Sequence, residues 1–347
     1  MTVSQRSTTY PTGRGRFGRL PGFAPLAAKR EGGVAILSVL LIVAVASALT
    51  YSLASQQSMV IAQSQNVLVG DQIRNLLLGG EVLARQSLRQ DWDVEETRES
   101  DTLLETWAQA LPPFEIPGGF IEVNVRDLQS CFNLNAIPVA PRDPGRTNAM
   151  KAFFLEAGLE GVFVDRWLDW IDPDEQVVDA GAEDGEYLSG DHAYRTANIR
   201  AAHVSELLLL REVEIEPYGT LRDSACILPE GAEDKININT VNQATLQALF
   251  PSVPATEVAS LVESERNYTA LNEFQQDHGS FTGADVFLGF TSDFFEVNVR
   301  AELGGSSASM VSLLYRNPTN GEMSILNRDF SRRFVSRFTV EVEEEAN

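Results

Sequence analysis

The chain has 347 residues, enough for two domains and a sizeable core, and its 27 basic and 49 acidic residues give a formal net charge of −22. The first 33 residues run the other way, with six basic side chains (Arg6, Arg14, Arg16, Arg19, Lys29, Arg30) against Glu31, so the remainder stands at −27. A surface that acidic repels phosphate backbones, which argues against a nucleic-acid partner, and the two cysteines are too few for a four-thiolate zinc site.

No residue from Gly32 to Gly70 is charged, and Val34 to Leu53 is almost wholly apolar. About 20 such residues at ~1.5 Å rise span a hydrocarbon core. The basic residues in front keep the N-terminus cytoplasmic and send the C-terminal body across the membrane. "VASALT" also has the small-residue pattern of a signal cleavage site, a rival fate for the run. The periodicity, however, continues through Leu53, Val60, Ile61, Val67, Leu68, Ile73, Leu76, Leu77, Val82 and Leu83, with no proline from Val34 to Arg89. Residues 34–90 therefore read as one helix, transmembrane and then amphipathic, with Gly79-Gly80 as a candidate kink.

After an acidic stretch from Asp91 to Trp107, "PPFEIPGG" breaks the chain and "FIEVNVRDL" alternates as a strand. The pentapeptide EVNVR at 122–126 returns at 296–300 within "DFFEVNVRAEL", which is equally read as coincidence between two amphipathic strands. "ASMVSLLYRN", "EMSILNRDF" and "RRFVSRFTVEVEEE" are three further strand-like runs. Between the two groups the pattern is mostly helical, as in "TNAMKAFFLEAG", "VFVDRWLDWI" and "ATEVASLVESERN". The expected fold is α+β: a long N-terminal helix on a small antiparallel sheet built from 91–130 and 291–347. A large, mostly helical domain, 131–290, is inserted between its strands.

The densest chemistry lies in "DRWLDWIDPDEQVVDAGAEDGEYLSGDHAYRTAN", which holds ten carboxylates and one basic residue from Asp165 to Asp191. Asp165, Asp169 and Asp172 share one face of a helix that Pro173 ends. Asp172, Asp174 and Gln176 alternate as the first ligands of a calcium loop do, and Asp179, Glu183 and Asp184 follow around Gly181. Calcium takes six to eight hard oxygen ligands from a flexible loop. The loop is no EF-hand, since Val177 occupies the sixth position where glycine is required. A solvated acidic loop is the plainer reading. Interleaved Trp167, Trp170, Ile171, Tyr187 and Tyr194 weigh against it, because a packed loop cannot leave carboxylates to repel one another.

"KININTVNQATLQALFPSVPATEVASLVESERNYTALNEFQQ" resembles a helix–hairpin–helix module, but its hairpin has no glycine for close phosphate approach and only Arg266 nearby. "CFNLNAIP" and "ININT" share an Asn-apolar-Asn core whose amides suit capping of adjacent backbone. The first begins at Cys131 and the second lies soon after Cys226, so adjacency of the two stretches would let the thiols meet. In an exported body the pair forms a disulfide; otherwise both are small buried hydrophobes. His192, His203 and His278 sit in no catalytic motif, and no nucleophile elbow, phosphate loop or HExxH is present, so no enzymatic activity is expected.

The basic leader ending in glycine, followed by "GGVAILSVLLIVAVA" and an amphipathic continuation, resembles a type IV pilin or pseudopilin. By that resemblance the prepilin peptidase cuts between Gly33 and Val34, removing residues 1–33, and the new N-terminus is methylated. Most members carry Glu at the fifth mature position; here it is Ser38, a departure typical of minor pseudopilin K of the type II secretion system (general secretion pathway protein K). In such filaments the carboxylate neutralises the amine of the subunit above, since a bare carboxylate in hydrocarbon is costly. A subunit with nothing above it has no amine to meet, so serine suits a tip. The leader is longer than the family's usual one, and the resemblance leads one to expect a start codon downstream of Met1.

The resemblance further implies an inserted helical domain that blocks stacking above, a helix–hairpin–helix unit with a structural role, and calcium on a "W-x-D-x-D … E-D … Y" stretch. The candidate ligands are Asp169, Asp172, Asp174, Gln176, Asp179, Glu183 and Asp184. It implies minor pseudopilins I and J and other pseudopilins as partners, single-pass anchoring in the inner membrane with the body in the periplasm, and a place at the pseudopilus tip for protein export. The rivals are a type IV pilus minor pilin, a singly anchored periplasmic calcium-binding protein and an exported DNA-uptake protein.

Overall fold

The computed structural model describes residues 32–95, 98–109, 112–136, 143–190, 192–229, 231–232 and 234–331. The chain divides into two compact units, residues 1–64 and 65–347. The leader as far as Glu31 and the strand-like run from Arg332 lie outside the described residues.

In the first unit the described residues form the start of helix α1 (Gly32–Asp93), and its large apolar side chains from Val34 to Ile61 are exposed. The helix is long and apolar enough to cross a membrane by length and composition. The hydroxyls of Ser38, Thr50, Ser58 and Ser64 each donate to a carbonyl three or four residues back, at 2.8–2.9 Å. These four hydroxyls would therefore present no unsatisfied donor to hydrocarbon.

In the second unit, the rest of α1 lies on a five-stranded antiparallel sheet. Its strands are β1 (Phe114–Ile116), β2 (Gly119–Asp127), β7 (Phe294–Leu303), β8 (Ser306–Arg316) and β9 (Met323–Asp329), in that spatial order. Ile73, Leu77, Ala84 and Leu88, on one helix face, pack against Val123, Val125, Val297, Val299, Met310 and Leu314. Gly79-Gly80 does not end the helix. A Cβ on Gly80 would lie 2.5 Å from a methyl of Val299, so this glycine lets the strand valines reach the helix backbone. Glu81 beside it is buried, accepting from Ser312 Oγ at 2.7 Å and from Arg328 Nε and Nη2 at 2.6 and 2.9 Å, which ties α1 to β8 and β9.

The EVNVR repeat has a structural outcome. β2 and β7 pair so that each copy opposes the other: Glu122 faces Arg300, Val123 Val299, Asn124 Asn298, Val125 Val297 and Arg126 Glu296. Antiparallel pairing of one pentapeptide with itself sets opposite charges across both ends and valines across valines, on the face toward α1. The same pairing makes β2 and β7 neighbours, so everything from Leu128 to Asp293 is an insertion between them.

The insertion is mostly helical: α2 (Pro144–Glu156), α3 (Val162–Ile171), α4 (Asp184–Tyr187), α5 (Ile215–Arg222), α6 (Gln243–Leu249), α7 (Ala255–Glu263), α8 (Leu271–Asp277) and α9 (Ala284–Phe287). Two short parallel pairs stitch it together, β3 (Phe132–Asn133) with β4 (Ala225–Cys226) and β5 (Ile236–Asn237) with β6 (Leu288–Gly289). The asparagines cap backbone. Asn133 Oδ1 accepts from the amides of Asn135 and Leu228 at 3.1 Å, and Asn239 Oδ1 from that of Tyr268 at 2.8 Å. Where the chain leaves and re-enters the sheet, buried Asp127 gathers Gln129 N at 2.7 Å, Ser292 Oγ at 2.6 Å, Thr240 Oγ1 at 2.5 Å and Asn237 Nδ2 at 3.2 Å. Burial still pushes its carboxyl up to about 6.

Candidate functional site

Cys131 and Cys226 form a disulfide with Cα atoms 5.8 Å apart. The route differs from the expected one. "CFNLN" pairs with the strand that contains Cys226, whereas "ININT" pairs with Leu288–Gly289. The bond staples the start of the insertion to its middle, across 95 residues of chain.

The acidic loop grows out of α3. Trp167 Nε1 donates to the Leu134 carbonyl at 2.9 Å and Trp170 Nε1 to Glu206 Oε2 at 3.1 Å, so the helix is fixed by its indoles. Tyr187 and Tyr194 close around Trp170, with ring centroids 5.5 and 6.3 Å away. The opposite requirement falls on Asp165, Asp169 and Asp172, all buried. α3 stops at Ile171 ahead of Pro173, and Asp174 Oδ1 then accepts from Gln176 N at 2.8 Å to turn the chain. Asp179 has φ of 53°, a left-handed residue at the loop's far bend. The return strand passes directly over Asp169, where a Cβ on Gly181 would lie 1.9 Å from Oδ2. Only glycine permits that approach, and Val178 N donates to the same oxygen at 3.2 Å.

This path brings carboxylate oxygens of Asp172, Asp174 and Glu183 within 4.8 Å of one another. Glu183, just before α4, accepts from Thr196 Oγ1 at 3.1 Å through Oε2, while its buried Oε1 has no hydrogen-bond partner. Burial, with the negative charges of Asp169, Asp172 and Asp174, pushes its carboxyl up to about 7. The other candidates lie differently. Asp184 is engaged by Thr196 N at 3.0 Å and Arg195 Nη1 at 2.8 Å, and Gln176 and Asp179 are exposed on the loop. Thr196 had no sequence signal; Gly181, in the middle of the acidic run, was the visible clue to a close backbone approach.

The helix–hairpin–helix stretch forms α6 and α7. Its one nearby cation, Arg266, is buried and donates through Nη1 to the carbonyls of Ile238 at 2.7 Å and Val241 at 3.0 Å, so it braces the turn before α6. His203 caps the turn at Val204–Leu209, and His278 meets the Tyr268 hydroxyl at 2.9 Å. His192 is exposed.

An apolar helix that continues onto a small antiparallel sheet, with a helical domain set between two adjacent strands, defines a pilin-like subunit of the minor pseudopilin class. The profile of the family described as Type II secretion system (T2SS), protein K matches residues 130–230. Type II secretion system protein K of Pseudomonas aeruginosa is 33% identical over 318 residues, covering 87% of this chain and 93% of the relative. The chain belongs to the type II secretion system protein K family. The Aeromonas hydrophila protein is 28% identical over 84% of this chain and 95% of its own length. Among solved structures, a chain of the GspK-GspI-GspJ complex from enterotoxigenic Escherichia coli has the same fold, with a TM-score of 0.68 at 23% identity over 78% of this chain and all of that one.

Proposed function

We propose that this pseudopilin stands at the tip of the type II secretion pseudopilus, where it assembles with minor pseudopilins I and J and initiates or caps the filament for protein export. The prepilin peptidase cuts between Gly33 and Val34 and the new amine is methylated. The apolar half of α1 anchors the chain in the inner membrane, and the body stands in the periplasm. The observation that carries the tip position is Ser38: its hydroxyl closes on the Ala35 carbonyl at 2.9 Å. The fifth mature position thus brings no charge that needs the amine of a subunit above it. The composition of the solved Escherichia coli complex supports the choice of partners.

Sequencing the N-terminus of the membrane-extracted protein from cells with the peptidase should read from Val34. An intact leader, or a start near Thr50, abandons the pilin-like route. Detergent-solubilised full chain should co-purify with pseudopilins I and J, and a failure with both removes the tip assignment.

The acidic loop is read as a calcium site. Its residues fit: three hard carboxylates converge, one buried Glu183 oxygen lacks a donor, and Glu183 is held partly protonated for want of a positive charge. Asp172, Asp174 and Glu183 would hold the ion, with Asp169 directly behind, under Gly181. A bound cation supplies the charge that lets these groups ionise together. It would pin the loop between α3 and α4.

A further inference from the structure

A second acidic group lies outside the insertion. Carboxylate oxygens of Asp91, Asp101 and Glu105 come within 4.8 Å of one another where α1 ends. Asp91 is on the last turn of the helix, which carries no basic residue, and the carbonyl end of a helix is negative. Three carboxylates are therefore gathered where the backbone already disfavours anions.

Among the described residues, Arg316 brings a cation to them. Arg316, at the end of β8, is buried between the rings of Trp92 and Phe295 at 5.3 and 4.9 Å, with Nη1 3.7 Å from Asp91 Oδ2 and Nη2 on Asp101 Oδ2. Ser292 N also donates to Asp101 Oδ2, at 2.6 Å. The other oxygen, Oδ1, is buried in a residue 1% exposed and meets no donor. Glu105 accepts from Thr102 N at 3.1 Å and Trp107 Nε1 at 2.5 Å, both neutral donors. Burial and the charges of Asp91 and Asp101 push Glu105 up to about 8. Asp101 Oδ1 thus meets no donor and Glu105 meets neutral donors, and a divalent cation would supply the positive charge that both lack.

We infer that Asp91, Asp101 and Glu105 form a second site for a hard divalent cation, calcium by ligand type, which clasps the end of α1 to the segment 100–107. Oxygen ligands from a helix end and an irregular segment suit the variable coordination of calcium better than the strict octahedron of magnesium. The inference uses none of the loop residues, so it stands or falls apart from the loop site.

The test counts calcium bound per full chain in detergent, by equilibrium dialysis, for the wild type, Glu105→Gln, Asp172→Asn and the double variant. Glu105→Gln keeps the shape that accepts from Trp107 and should bind one ion fewer than the wild type. Asp172→Asn should keep the ion that depends on Glu105, and the double variant should lack it. A Glu105→Gln protein that is folded by circular dichroism and binds as many ions as the wild type overturns the site. Should Glu105→Gln not fold, Asp91→Asn, altered at the less buried ligand, carries the same count, and an unchanged number again overturns it.

Discussion

Glu81 and Glu183 are the same residue type, 1% and 4% exposed, in opposite surroundings. Glu81 is reached by Ser312 and twice by Arg328, and although burial raises its carboxyl, those contacts outweigh it and the net shift is downward. Glu183 has one hydroxyl and three neighbouring acids, and is pushed up to about 7. A strand neighbour supplies the cation at the sheet. Around Glu183 the insertion gathers three carboxylates and the Thr196 hydroxyl. What separates a structural buried acid from a candidate ligand here is therefore the presence of an arginine within the fold, not the depth of burial.

The comparison breaks most visibly if calcium does nothing. At a free concentration a hundredfold above its Kd, an ion bound only by the folded state stabilises it by about 2.7 kcal/mol. For a body of this size each kcal/mol moves Tm by roughly 2–4 °C, so chelation should lower it by roughly 5–11 °C, with recovery on adding calcium. An unmoved Tm removes the metal from the loop. On the other side, Arg328→Met should leave Glu81 buried without its cation. Losing one partner of a buried pair costs ~3–5 kcal/mol. Arg328 is itself 38% exposed, so solvent screening lowers the expected loss to about 2 kcal/mol, read from the urea midpoint. A loss below about 0.5 kcal/mol would mean that water already serves Glu81. Adding Glu81→Gln to that variant should recover part of the loss, because the stranded charge is gone.

Much of this contrast was legible in the sequence, and unevenly. The apolar run and the i, i+4, i+7 acids of α3 are local patterns, and local periodicity reports local structure. EVNVR announced two strands, yet its self-pairing depends on a contact across 174 positions, between Asn124 and Asn298 at the two centres, that no window of sequence contains. Glu81 looked like one more polar residue of an amphipathic helix. Its partner Arg328 arrives from β9, the far edge strand, so nothing near it in the chain marked it as buried. The packing role of Gly80 was hidden for the same reason, because a helical glycine pair carries no sign of the strand valines that fill the space beside it. Within the acidic loop, the residue types were plain but the selection among them was not. Asp184 left the cluster for Arg195 and Thr196, a choice made by the fold of α4.

The smallest expected effect sharpens the comparison by its sign. Glu183 has a folded-state value of about 7, above the ordinary 4.5, so the folded chain holds a proton that the unfolded chain releases. Its contribution to stability is full below about pH 4.5 and is lost as pH rises through 7. Glu81 is shifted downward, so its contribution is present above its ordinary value and fades only in acid. Between pH 5.5 and 8 the metal-free protein should therefore lose stability on account of Glu183, by an amount on the order of 1 kcal/mol. Asp127 at about 6 and Glu105 at about 8 slope the same way. The difference between wild type and Glu183→Gln cancels both. That difference should favour the variant progressively as pH rises in chelator, and should vanish or reverse with calcium, because a bound cation keeps the wild-type carboxylate ionised without penalty. A difference curve that is flat in chelator would mean that Glu183 is ionised in the empty loop, and that the loop does not lack a positive charge.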